Sequence, residues 1–310
     1  MYPSAESPAK PHPGLTEALA VWTLFGAVAI AVLVTYSWLP ADERYHYSVD
    51  GIAGGAGRAL VFLAFPTSLV AVPIALLAAA QLRAGQARIL AGLAVACCLT
   101  VLWPGAVDEN DLDPKPINAL TAAGALIAFG LTVAAWRQGG AWDWGRVAGD
   151  RLRLAVAAVL LLGSIPWILA ELGVYVDDIP LLGLPFTSDE PSPTGTGPTA
   201  VHLGHHHGWD GTILALSALL LTRPLQRLPR SRQRELLAVY LSILLVYGLG
   251  NAVQDFWLEQ FVKRDWLDWE IPTMLRPAVE PVWGVVLVLG LAAYAAFWRP
   301  RSRASVSARS

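Results

Sequence analysis

The sequence predicts an all-α integral membrane protein, a bundle of about eight transmembrane helices with both termini cytoplasmic. Three observations carry that expectation. Residues of the set AVILMFWYC make up 55% of the 310 and charged residues only 15%, against roughly 25% charged in a soluble domain. The mean hydropathy is +0.48. The apolar residues also come in runs of spanning length, since a hydrocarbon core of about 30 Å takes about 20 residues of helix. Composition excludes as well. A net charge of −2 speaks against a basic-patch nucleic-acid binder. Cys97 and Cys98 stand side by side in an apolar run, which leaves no disulfide framework and no CxxC zinc site.

Eight stretches qualify as spans: 16–38, 58–82, 88–104, 117–136, 154–176, 199–222, 236–258 and 279–298. Ahead of the first lies a proline-rich segment with a single lysine, followed by a run of spanning length, so no secretory signal is expected. The spans use most of the chain. A single transmembrane domain over 1–310, ending in a basic cytoplasmic tail at 299–310, accounts for the sequence, and no internal repeat of fixed period is visible.

Charge sets the orientation. With the N-terminus inside, 16 of the 22 basic residues fall in inner segments, among them Arg83, Arg137, Arg223 and Arg299, as the positive-inside rule requires. Acids do the reverse: 19 of 24 fall outside, as at Asp108, Asp111 and Asp113. The expected location is therefore the plasma membrane, with the lipid bilayer as first partner. Trp38, Trp103, Trp167, Trp257 and Trp283 fall near outer span ends, and Trp22, Trp136, Trp142, Trp144 and Trp298 near inner ones. They read as interfacial belts. Pro66 and Pro73 should kink the second span and Pro166 the fifth.

Polar groups at membrane depth are costly and so point to function. The inner halves of the spans hold almost none; Glu17 and Glu235 sit at inner ends, where water is expected to reach them. The outer half is different. The sixth span is purely apolar only from Gly211 to Thr222, about 18 Å of helix. To cross, it must borrow residues from HLGHHHGWD, which sinks the histidines to the outer interface. On a helix His202, His206 and Asp210 recur at i, i+4 and i+8, with His205 beside them. Imidazoles one turn apart can grip one metal ion. His207 is expected to point away and serve the interface.

The seventh span carries a second stripe, Tyr247, Asn251, Asp255 and Glu259, at successive i+4 positions with Gln254 alongside. Asp255 and, in the fifth span, Glu171 are flanked by apolar residues at the same outer level. For Glu259 and Glu280 the plainer expectation is a carboxylate reaching for water. The first outer loop ends in Gly51, Gly54, Gly55 and Gly57 before Arg58, and is expected to be a flexible re-entry loop.

The HExxH and GxSxG patterns are absent. Four of the six histidines lie in one segment, which gives a bis-histidine haem between helices little support. Two function classes remain. One is a divalent-metal-dependent enzyme, zinc being the best-suited metal, acting on a lipid or lipid-linked substrate. In that reading His202, His205, His206, Asp210 and Asp255 hold the metal, and Glu171, Asp255 or Glu259 is the general base. The other is a non-enzymatic membrane subunit, metal-uptake component or pH sensor, because histidines beside acids titrate near pH 5–8.

Overall fold

Wherever the sequence breaks a long apolar run with proline, the chain either starts a helix or bends one. The structure, a computed structural model, describes residues 15–40, 47–82, 85–108, 111–140, 142–174, 180, 183–187, 207–276 and 280–298. Ten α-helices form, and no strand is present among the described residues. They are α1 Leu15–Trp38, α2 Gly51–Ala64, α3 Pro66–Gln81, α4 Gly85–Leu99, α5 Pro116–Arg137, α6 Asp150–Gly163, α7 Ile165–Glu171, α8 His207–Leu221, α9 Arg232–Gln260 and α10 Pro281–Phe297. Pro66, Pro116 and Pro281 each open a helix, where the missing N–H has no intrahelical partner to lose. Ser231 caps α9 by accepting from the Arg234 backbone N–H at 3.2 Å.

Among the described residues four helices are long and apolar enough to cross a membrane, and up to six if each bent pair counts as one span. The bent pairs are α2–α3, turned by 46° at Phe65–Pro66, and α6–α7, turned by 55° at Ser164–Ile165. These are two of the places where proline was expected to kink a span. Pro73 stays inside α3 without ending it. The expected sixth span is described only from His207, as the 15-residue α8, and the eighth as the 17-residue α10. The fold is thus a helical membrane-protein bundle with four to six candidate spans.

The core has two parts. Large side chains of α1, α2, α3, α8 and α9, such as Phe25, Phe62, Ile74, Ile213 and Leu241, fill one. Alanines of α3, α4 and α5 fill the other, among them Ala75, Ala94 and Ala128. Small residues let backbones approach closely, the main source of helix association where lipid removes the hydrophobic drive. The α8–α9 crossing shows this best. A Cβ at Gly211 would lie 2.6 Å from the Gly248 carbonyl oxygen, and one at Gly248 would lie 2.6 Å from that of Gly211. From that crossing, one turn back along α8 and two turns on along the antiparallel α9 bring His207 and Asp255 to the same level.

The Gly-rich stretch before Arg58 is helical, which corrects the expectation of a flexible loop. Gly51–Gly57 form the first turns of α2, and a Cβ at Gly55 would lie 2.2 Å from the Leu33 carbonyl oxygen of α1. Gly54, Gly55 and Gly57 serve close packing, whereas Gly51 has open space around it and supplies a positive φ of 65° at the start of the helix. Trp167 departs from the interfacial belt in the same way. It is buried, and its ring lies where a side chain on Gly208 would stand.

Candidate functional site

The polar stripe of α9 faces inward. Tyr247, Asn251, Asp255 and Glu259 are all buried, because successive i+4 positions share the face that the glycine crossing presses against α8. Tyr247 donates its hydroxyl to the Leu275 carbonyl at 2.8 Å, and Asn251 Nδ2 donates to the Tyr247 carbonyl at 2.9 Å. Glu259 lies 3.4 Å from Lys263 Nζ. Its burial corrects the expectation that it reaches for water; Lys263 one turn on supplies the countercharge.

Asp255 joins two helices. Its Oδ2 accepts the Gly208 backbone N–H at 2.9 Å, and its Oδ1 stands 3.3 Å from His207 Nε2, with side-chain exposures of 5% for His207 and 2% for Asp255. The first-turn N–H groups of a helix have no intrahelical acceptor and carry partial positive charge. A carboxylate supplied from α9 therefore stabilises the start of α8. Gly208 makes the approach possible, since a Cβ there would lie 2.5 Å from Asp255 Oδ2. His207 thus points into the bundle, against the expectation that it faces the interface. It is the one histidine of the tract whose position is described, and sequence spacing gave no reason to single it out.

Two other elements reach the same level. Arg58 on α2 is buried, with its Cζ 5.6 Å from the centre of the Tyr36 ring, and it interacts electrostatically with Glu171 and Asp210. Glu171 ends α7 and is buried; Asp210, in the first turn of α8, is half-buried. Sequence reasoning gave Arg58 no place among the site residues. The signal was there, in a lone basic residue seven positions inside an apolar helix, where an ionisable group needs partners.

Arg58, His207 and Asp210 line a narrow cleft of about 40 Å³ that is partly open to solvent. Asp108, Asp111 and Lys115 from the segment before α5 form its polar mouth, and the buried Asn118 in the first turn of α5 also lines it. There Lys115 Nζ lies 3.1 Å from Asp108 and 3.3 Å from Asp111. Burial alone would lower the Lys115 ammonium, but the hydrogen bonds to both carboxylates outweigh it and raise it above its ordinary value.

Of the expected site residues, Glu171, Asp210, Asp255 and Glu259 are at the same end of the bundle. His202, His205 and His206 lie outside the described residues. Among the described residues no group of three or more His, Cys, Asp or Glu side chains could hold a metal ion. No family model, curated protein or solved structure matches the chain.

The opposite end carries a second cluster. Glu17, fully buried at the start of α1, lies 3.3 Å from Arg223 Nη1, which corrects the expectation that water reaches it. Arg223 also pairs with Asp150 at 3.1 Å, and Arg227 with Asp143 at 2.8 Å. These bonds tie α1, α6 and the end of α8 together.

Proposed function

We propose that this multi-pass membrane protein works through the His207–Asp255 pair and the charges around it, as a pH-responsive membrane component. The observation that carries the reading is a buried imidazole within 3.3 Å of a buried carboxylate, on the wall of a cleft that opens to solvent. Histidine changes charge between about pH 5 and 8. Around the pair stand two cations, Arg58 and Lys263, and three further carboxylates, Glu171, Asp210 and Glu259. A proton added to His207 reduces that excess of negative charge, so acidification tightens the α8–α9 junction and neutral pH loosens it. In this reading the acid-rich end faces outside, as the basic asymmetry of the sequence supports, and the cleft samples external pH at the plasma membrane.

A second reading keeps the divalent metal and a lipid-linked substrate. It is favoured by the sequence, in which His207 and Asp210 follow immediately after His202, His205 and His206. Zinc would then supply an activated water, with Glu171 or Glu259 as base.

One experiment separates the two. The thermal midpoint of the purified full chain, measured from pH 5 to 8 with and without a chelator, should rise on acidification, and His207→Gln should flatten the profile. A flat wild-type profile overturns the pH reading. Stoichiometric zinc in the purified protein, lost in His207→Gln and Asp255→Asn, establishes the second reading instead.

A further inference from the structure

The helix α6 is the least embedded of the long helices. None of its residues is buried, although α8 runs beside it and Ser164, at its end, shares a hydrogen bond with Thr212 of α8 at 2.7 Å. Below that bond the two helices stand apart. An open groove separates them, walled by Leu154, Ala157, Leu216 and Leu219 and lined also by Arg153 and Arg223. Beyond it, toward the other end of α6, lies a second open, apolar groove between Leu160, Thr212 and Phe256. From Leu154 to Ser164 the seam runs about 15 Å.

We propose that this seam binds one anionic phospholipid, its phosphate at Arg153 and an acyl chain between α6 and α8. Charge complementarity selects the occupant. Four arginines, Arg146, Arg153, Arg223 and Arg227, stand with three carboxylates, Glu17, Asp143 and Asp150, on this side of α6, an excess of one positive charge. Basic pockets between transmembrane helices hold anionic headgroups in this way. Arg223 is fully engaged with Glu17, Asp150 and the Gly145 carbonyl. Arg153 is not. Its Nε donates to Thr222 Oγ1 and its Nη1 to the Ala148 carbonyl and Asp150, while Nη2 makes no hydrogen bond among the described residues. That edge of the guanidinium is therefore open to a phosphate at the mouth. Trp144 stands beside it, exposed, with its ring 5.4 Å from the Arg223 Cζ, as interfacial tryptophans do at headgroup level.

Native mass spectrometry of the full chain in detergent tests the site, with dioleoyl phosphatidylglycerol or phosphatidylcholine added. The wild-type protein should retain one phosphatidylglycerol in preference to phosphatidylcholine. Arg153→Gln should cut that preference about fivefold, the loss of one headgroup cation. Ala157→Trp fills the cleft without altering charge and should abolish retention. Arg151→Gln removes the same charge from an exposed position on the other side of α6 and should leave the preference intact. Equal retention of both lipids, equal losses in the two arginine variants, or undiminished binding in Ala157→Trp overturns the proposal. Displacement of the lipid by millimolar inorganic phosphate overturns it too, because it makes the site an anion pocket without a chain groove. Should either Arg153→Gln or Ala157→Trp fail to fold, the other decides.

Discussion

The two ends of the bundle solve the problem of charge at a membrane boundary in opposite ways. At the basic end Glu17, Arg223, Asp150, Arg227 and Asp143 alternate in sign, and each of the named guanidiniums finds a carboxylate within 3.3 Å. At the acid-rich end carboxylates outnumber cations, a histidine stands among them, and a cleft leads in from solvent. A cluster whose guanidiniums are each paired fixes geometry. In the proposed reading, the acid-rich cluster that water can reach is the one that responds to protons. The difference supports a division between structural anchoring at one end and the proposed responsive chemistry at the other.

The sharpest way to break that comparison is to disrupt the anchor. Arg223→Met leaves Glu17 fully buried without its nearest cation and frees Asp150 from its closest guanidinium. Removing one partner of a buried pair costs about 3–5 kcal/mol. Unfolding in mixed micelles at neutral pH should show a loss of that size. A loss below about 1 kcal/mol, the level of surface pairs, would mean that the basic end is not an anchor.

A smaller effect is expected at the α8–α9 crossing. Gly211→Val places methyl groups where the Gly248 carbonyl and the Ala252 backbone nitrogen already stand at 2.6 and 2.8 Å from a bare Cβ. Overpacking of this kind costs about 1–3 kcal/mol. Because the same crossing sets the level of His207 against Asp255, stability and pH response should fall together. Gly92→Ala is the control: nothing lies within 4 Å of a Cβ there, and in a helix interior the change should stabilise by about 0.5–1 kcal/mol. A Gly211→Val protein with wild-type pH response would detach the site from the crossing.

How far the sequence disclosed this arrangement depends on range. Apolar runs and prolines are local, so helices, the bends at Pro66 and Pro166 and the opposed charge of the two ends were legible. The i+4 spacing placed Tyr247, Asn251, Asp255 and Glu259 on one buried face. What spacing could not supply is rotation about a helix axis, which packing decides. The spacing points His207 outward because His206 completes a regular pattern with Asp210, whereas the glycine crossing turns His207 onto Asp255. Arg58 was missed for a related reason. The glycines before it suggest a loop, and only the close approach of α1 shows them to be packing positions.

The mouth of the cleft at the acid-rich end sharpens the comparison at the small end of the scale. Lys115 bridges Asp108 and Asp111 with its side chain 27% exposed, so water and salt screen the pair. Replacing it, Lys115→Met, should cost less than about 1 kcal/mol, and 1 M salt should erase most of the difference, since the screening length falls to about 3 Å. The pH dependence has a definite sign. The folded ammonium is held above its ordinary value, so its contribution is complete below the unfolded value of about 10.4 and disappears as pH rises through the higher folded one. Stability curves of wild type and Lys115→Met should therefore run parallel from pH 6 to 9 and converge only above about pH 10. The response between pH 5 and 8 should be the same in both, because it belongs to His207. If Lys115→Met abolished that response instead, the mouth of the cleft and not the buried pair would be the proton-sensitive element, and the division between an exchanging interior and a screened rim would fail.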